Sequence, residues 1–141
     1  MDCIRIGEDR FEDLAALQKA YKAEIGEDIP AKAQLDALRA AIEEGRILFY
    51  GILDGERLAG CCSVSITFST FQYANCGVFE DFYILPEYRR KGLARRLVRY
   101  AFLDSGVASL TVGSAQCDEA MYASLGFSVP LGRLMAMDGE P

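Results

Sequence analysis

The segment from Phe79 to Tyr100, FEDFYILPEYRRKGLARRLVRY, constrains this chain more than any other. Phe82, Tyr83, Ile84 and Leu85 form a short run rich in aromatic and branched residues. Pro86 then removes a backbone donor and pushes its neighbour toward extended geometry, so the run predicts a strand that ends there. After Gly92 the apolar positions Leu93, Leu97, Tyr100 and Ala101 recur at spacings of three and four, with Arg95, Arg96 and Arg99 on the other side, as in an amphipathic helix. Arg89, Arg90, Lys91 and Gly92 therefore stand at a helix N-terminus. The first N–H groups of a helix have no internal partner and carry the positive end of the macrodipole, which suits a phosphate. Cations at that end oppose the dipole, so three in a row make sense where an anion sits in the turn, and Gly92 lets the backbone approach it. A solvated basic turn would carry the same pattern.

The rest of the chain narrows the chemistry. Its 141 residues suffice for one domain, and no apolar run approaches the length needed to cross a bilayer. The N-terminus, MDCIRIGEDRFED, lacks the apolar core of a signal peptide, and a cytoplasmic location is expected. Cys3, Cys61, Cys62, Cys76 and Cys117 are odd in number and show no CxxC spacing, which suggests neither a disulfide framework nor a metal site. The chain has no histidine, so the usual general base and every Ser/His or Cys/His nucleophile are excluded, leaving carboxylate, tyrosine, amine or backbone. A net charge of −6, with the cations concentrated in one segment, argues against nucleic acid as a partner. It suits a small anionic cofactor at the basic turn and a cationic substrate elsewhere.

In chain order, Cys3 to Ile6 predicts a first strand, and Asp9 caps a helix carrying Phe11, Leu14, Leu17 and Tyr21 that Gly26 ends. Pro30 opens a second helix with Leu35, Leu38, Ala41 and Ile42 as its stripe, closed by Gly45. Arg46–Leu53 and Arg57–Phe68 flank Asp54-Gly55-Glu56, a strong hairpin signal. Ser69 to Gly77 reads as a loop before the strand Val78–Leu85, and the helix after Gly92 ends near Ser105 and Gly106. Ser109–Val112 then makes a strand, helix, strand unit with parallel pairing. Asp118–Leu125 predicts a last helix, and Phe127–Val129 with Leu131–Met137 two last strands.

This order, together with YILPEYRRKGLA and MYASLGF, resembles the GNAT superfamily of acyl-CoA-dependent N-acetyltransferases over essentially the whole chain. The family pattern [RQ]-x-x-G-x-[GA] reads here Arg89, Arg90, Lys91, Gly92, Leu93, Ala94. The resemblance implies an α+β (α/β) fold: a mixed, mostly antiparallel sheet of about six to seven strands flanked by about four helices, opened between Val78–Leu85 and Ser109–Val112. Acetyl-CoA would lie in that opening, with no metal. The backbone of Phe82, Tyr83 and Ile84 would pair with the pantetheine arm, and the amides from Arg90 through Lys91, Gly92, Leu93 and Ala94 to Arg95 would hold the pyrophosphate, with Arg89 or Arg90 reaching a phosphate oxygen.

Transfer to an alkyl amine needs a proton acceptor, because such a group has a pKa of about 10.4. Glu80 and Asp81 are the carboxylates beside the cofactor arm, and strand alternation predicts that only one faces the acceptor cleft. Glu80 matches the position of a functional acid in some polyamine and aminoglycoside members. Tyr122 matches the family's tyrosine in Y-x-x-x-G-F and would give a proton or hydrogen bond to the departing thiolate. The asparagine common upstream of that tyrosine is Ala115 here, with Ser114 or Gln116 as substitutes, and Cys117 has no visible base partner. The expected activity is acetyl transfer to a primary amine of a small cationic metabolite or peptide by direct attack. A non-catalytic acyl-CoA-binding domain is the alternative, and an anion-binding module a third. Phe68, Phe71 and Tyr73 would line the acceptor pocket, pack under their loop or form a homodimer contact.

Overall fold

The computed structural model describes residues 1–139. A five-stranded sheet in the order β1 (Asp2–Arg5), β2 (Ile47–Asp54), β3 (Arg57–Ser69), β4 (Ala74–Ile84) and β5 (Leu110–Val112) forms the middle layer. Its first four strands are antiparallel neighbours, whereas β5 runs parallel to β4. Helix α1 (Phe11–Glu24) and helix α2 (Lys32–Glu43) lie toward one face and helix α3 (Leu93–Ser105) against the other, with the short helix α4 (Glu119–Ser124) after β5. The period-2 alternation of β2 and β3 builds both cores at once. Phe49, Leu58 and Cys61 join Phe11, Leu14 and Leu17 under α1, while Tyr50, Ile52, Cys62 and Val64 meet Leu93, Leu97, Val98 and Ala101 of α3.

Local chemistry sets the boundaries. Gly55, at φ 59°, makes the β2–β3 turn. The Gln34 side chain accepts the Ala31 amide at 2.8 Å and so opens α2. Gly106, at φ 68°, ends α3 in the left-handed conformation. Two expectations shift: α1 is entered through a 3-10 turn, Glu8–Arg10, with no side-chain cap from Asp9, and β4 begins at Ala74, within the stretch read as a loop.

The fold class is as expected, but the sheet has five strands among the described residues, not six to seven. Neither Phe127–Val129 nor Leu131–Met137 forms a strand. A strand needs a partner edge, and β5 offers three residues, while Pro130 and Gly132 interrupt the run that would have to pair with it. Val129, Leu131, Leu134, Met135 and Met137 are consequently exposed. No helix among the described residues is long and apolar enough to cross a membrane.

Candidate functional site

β4 and β5 are paired from Gly77–Leu110 to Phe79–Val112, with the Ala108 amide donating to the Asn75 carbonyl just before, and among the described residues the pairing goes no further than Phe79. Beyond that point the Asp81 amide donates to Ser63 Oγ at 3.0 Å and the Leu85 amide to the Ala59 carbonyl at 2.9 Å, both toward β3. Alternation therefore turns the backbone groups of Phe82 and Ile84 to the opening, with Tyr83 paired to Cys61 on β3. The Tyr83 ring lies on the α1 face, 5.5 Å from Tyr21.

The turn that follows is a concave run of amides. Arg90 and Gly92 both adopt left-handed backbone, at φ 61° and 75°, and Gly92 is the N-cap of α3 with no side chain satisfying the helix's first amides. Alternating left- and right-handed residues at a helix start point successive N–H groups inward, which makes an anion cradle. A Cβ built on Gly92 would meet no atom of the described residues within 4 Å beyond its chain neighbours, so the space in front of the cradle is open. Leu93 is buried and anchors the helix, Ala94 is half-buried, and the Arg90, Lys91 and Arg95 side chains are exposed. Arg89 is engaged elsewhere: its Nε donates to the Ile84 carbonyl at 2.8 Å, its Nη2 pairs with Glu24 at 2.8 Å, and its guanidinium lies 5.5 Å from the Tyr83 ring. It braces α1 against the end of β4 and occupies the outward carbonyl of Ile84. Arg95 Nη2 donates to the Ser124 carbonyl at 2.8 Å, tying α3 to the helix that carries Tyr122.

The acids lie on a β-bulge. Cys62 faces Phe82 and Val64 faces Phe79, so Ser63 opposes two residues, Glu80 and Asp81. Ser63 is fully buried, and its hydroxyl donates to the Asp81 carboxylate at 2.9 Å. Phe79 and Phe82 both point to the α3 face, with ring centroids 5.6 Å apart. Alternation from each of them puts Glu80 and Asp81 together on the α1 face. The expectation that only one acid faces that side is corrected here, because the extra residue cancels the alternation. Glu80 is exposed and Asp81 half-buried. Burial first, and then the Asp81 charge, push the Tyr21 phenol and the Cys61 thiol upward.

Tyr122 stands on the other side of the opening. An aromatic chain links it to β4: Phe82 to Phe79 at 5.6 Å, Phe79 to Phe127 at 5.3 Å, and Phe127 to Tyr122 edge-on at 5.9 Å. Burial, then the charges of Asp118 and Tyr21, raise the Tyr122 pKa above 10.0, so it holds its phenolic proton. Ala115 is the N-cap of the 3-10 turn Gln116–Asp118, and the Ser114 hydroxyl is bonded to the Ala115 carbonyl at 2.8 Å. Sequence reasoning missed the roles of Ser63, Tyr21 and Arg95. The S/T-x-x-E spacing that marks helix caps has no counterpart for such cross-strand or cross-helix partners, and only the Y-x-x-x-G-F segment signalled Phe127.

A strand-turn-helix anion cradle, an opened parallel pair and a tyrosine on the following helix form one arrangement, and the model of the acetyltransferase (GNAT) domain matches residues 45–129. The chain belongs to the GNAT acetyltransferase family. No curated protein matches it in sequence. Among solved structures, a probable acetyltransferase superposes with a TM-score of 0.82 at 21% identity, covering 98% of this chain and 99% of that one. An aminoglycoside acetyltransferase from an uncultured soil metagenomic sample, in complex with trehalose, superposes with a TM-score of 0.81 at 12% identity over 99% and 96% of the two chains. A GCN5-related N-acetyltransferase from Ralstonia eutropha JMP134 gives 0.73 at 19% identity over 96% and 97%. At these identities the superpositions speak for the GNAT fold, and the family match for acyl-CoA-dependent N-acetyl transfer. The residues present fit an acyl-CoA. The Arg90–Gly92 cradle suits a pyrophosphate, and the outward backbone of Phe82 suits an amide-bearing arm laid along a strand edge.

Proposed function

We propose that this GNAT enzyme acetylates a primary amine of a small cationic metabolite or peptide, using acetyl-CoA in a ternary complex. The observation that carries this reading is the strand edge left open beyond Phe79 and continued by the left-handed turn at Arg90 and Gly92. Acetyl-CoA, when bound, supplies an activated acyl thioester. Phe82 and Ile84 present the edge that orients it, with Tyr83 holding that edge against β3, and the amides from Arg90 to Arg95 neutralise its phosphates.

The two proton-handling residues approach from opposite faces. Glu80, exposed on the α1 face, accepts a proton from an ammonium whose ordinary pKa is about 10.4, directly or through water. Tyr122, on the α3 side, keeps a proton for the departing thiolate. Direct attack needs no acyl carrier on the protein, and burial holds Cys61 and Cys62 as neutral thiols.

The test is release of free CoA from acetyl-CoA in the presence of polyamines, aminoglycosides, amino acids and peptide N-termini as separate groups. Release with at least one amine group is expected. Tight acetyl-CoA binding with no release from any group would sink the catalytic reading and leave an acyl-CoA-binding domain.

A further inference from the structure

Arg95 stands where its own helix does not favour it. It is the third residue of α3, in the first turn, and the macrodipole there opposes a cation. An anion in the cradle would offset that cost, but the guanidinium is turned to another partner: its Nη2 donates to the Ser124 carbonyl at 2.8 Å. Ser124 is the last residue of α4, and a cation suits the C-terminal end of that helix as well as it opposes the start of α3.

The carbonyls at the end of α4 show what the contact supplies. The Tyr122 carbonyl accepts the Leu125 and Phe127 amides, each at 3.0 Å, and the Ala123 carbonyl accepts the Gly126 amide at 3.1 Å. The Ser124 carbonyl is left to Arg95. α4 is otherwise lightly held: none of its six residues is buried, and its half-buried Tyr122 ring meets the α3-side core beside the edge of Phe127, 5.9 Å away. The Tyr122 hydroxyl has no hydrogen bond among the described residues, so the phenol takes its aim from where α4 lies. One residue thus serves two elements. The Arg95 amide belongs to the cradle, and its side chain holds the helix that carries the phenol.

We propose that Arg95 is a positioning residue for acetyl transfer: its side chain is not a phosphate ligand but a clamp that sets the distance between the anion cradle and the Tyr122 phenol. The inference rests on the acetyltransferase reading for the thiolate that the phenol meets. A donor arm laid extended along β4, with its phosphates at one end and its sulfur at the other, has a set length, and the separation of the two protein groups must match it. Without the clamp α4 drifts, and a displacement of about 1 Å at a reacting group can cost up to about 10²-fold in rate.

The full-length protein is compared with R95A, Y122F and the double variant R95A/Y122F. R95A keeps the backbone amide, so its acetyl-CoA affinity by calorimetry should stay within about twofold of wild type. With an amine that releases CoA, kcat should fall roughly tenfold in R95A, and in the Y122F background R95A should lower it no further, because both changes act through one phenol. Fluorine NMR of protein carrying 3-fluorotyrosine reads the phenol without turnover: the Tyr122 resonance, assigned by its loss in Y122F, should shift in R95A while the other tyrosine resonances stay in place. R95M, which keeps the aliphatic stem, replaces R95A if that variant does not fold. A larger loss of acetyl-CoA affinity, wild-type kcat in either single variant, a loss in R95A that persists in full without the phenol, or an unmoved Tyr122 resonance would each overturn the inference. CoA release from an amine with an unmoved resonance removes this inference alone; a shifted resonance with no CoA release from any amine removes the transfer reading and leaves the clamp.

Discussion

The buried hydroxyl of Ser63 donates to the Asp81 carboxylate at 2.9 Å and accepts the Asp81 amide at 3.0 Å, so one side chain clasps both ends of the same residue. That clasp fixes the bulge that sends Glu80 and Asp81 to one face. S63A removes a donor and an acceptor from a fully buried position and should cost about 1–3 kcal/mol. Urea unfolding should show a lower midpoint with an unchanged slope. An unaltered midpoint would mean that the backbone holds the bulge without help.

Both acids on one face make the choice between them an experiment. E80Q should lower kcat by roughly 10²-fold or more, the scale of general acid–base catalysis, with little change in the apparent affinity for acetyl-CoA. D81N measured beside it decides the assignment: if D81N carries the loss in kcat and E80Q does not, the proton acceptor is Asp81.

Y122F removes the phenolic proton and keeps the ring that meets Phe127 edge-on. Turnover should fall while thermal stability stays close to wild type, because the hydroxyl makes no hydrogen bond among the described residues to which folding would be tied. Wild-type turnover in this variant would end the donor assignment.

At Gly92 the backbone φ of 75° penalises any residue with a Cβ by about 1–2 kcal/mol. Since no atom of the described residues beyond its chain neighbours stands within 4 Å of that Cβ, G92V should fold and yet intrude on whatever the turn holds. Calorimetry should show acetyl-CoA affinity falling sharply; undiminished binding would place the phosphates elsewhere.

Alkaline pH should loosen the whole fold. Burial raises the thiols of Cys61 and Cys62 above 9.0 and the Tyr50 phenol above 10.0. Each proton is held more tightly folded than unfolded, so the stabilisation is complete below the unfolded pKa and lost as pH rises toward the folded one. The melting temperature should therefore hold up to about pH 8 and decline beyond about pH 9, steepening as tyrosine begins to ionise. A thiol-reactive chromogen should label exposed Cys117 first and reach Cys61 and Cys62 only on unfolding.

Much of this architecture is written locally. Asp54-Gly55 announces its hairpin, Pro86 the end of β4, and Gly92 with the leucine spacing the start of α3, because each is a matter of backbone preference within a few residues. What could not be read is relational. The bulge depends on Ser63 meeting Asp81 across two strands, and Arg89, expected with Arg90 as an alternative at a phosphate oxygen, bonds to Ile84 and Glu24. That the Gln18 amide finds no partner among the described residues is equally invisible along the chain, although its place on the buried face of α1 with Phe11, Leu14 and Ala15 follows from helical spacing. The two C-terminal runs carry strand-like composition, and composition does not supply the edge that a strand requires.

The strand order of the sheet follows the order of the chain. Every antiparallel pair joins consecutive strands, and the β2–β3 and β3–β4 pairs close through short turns, so these seams can form while the chain is still nearly local. The pairing of β4 with β5 is different, because the basic turn and all of α3 must be in place before Phe79 can meet Val112. The sheet's one parallel seam among the described residues is thus also the one that stops short to leave the opening. Assembly of the site is deferred until after the hairpins, and a chain that completes only its meander would have most of its pairing and no place for a donor.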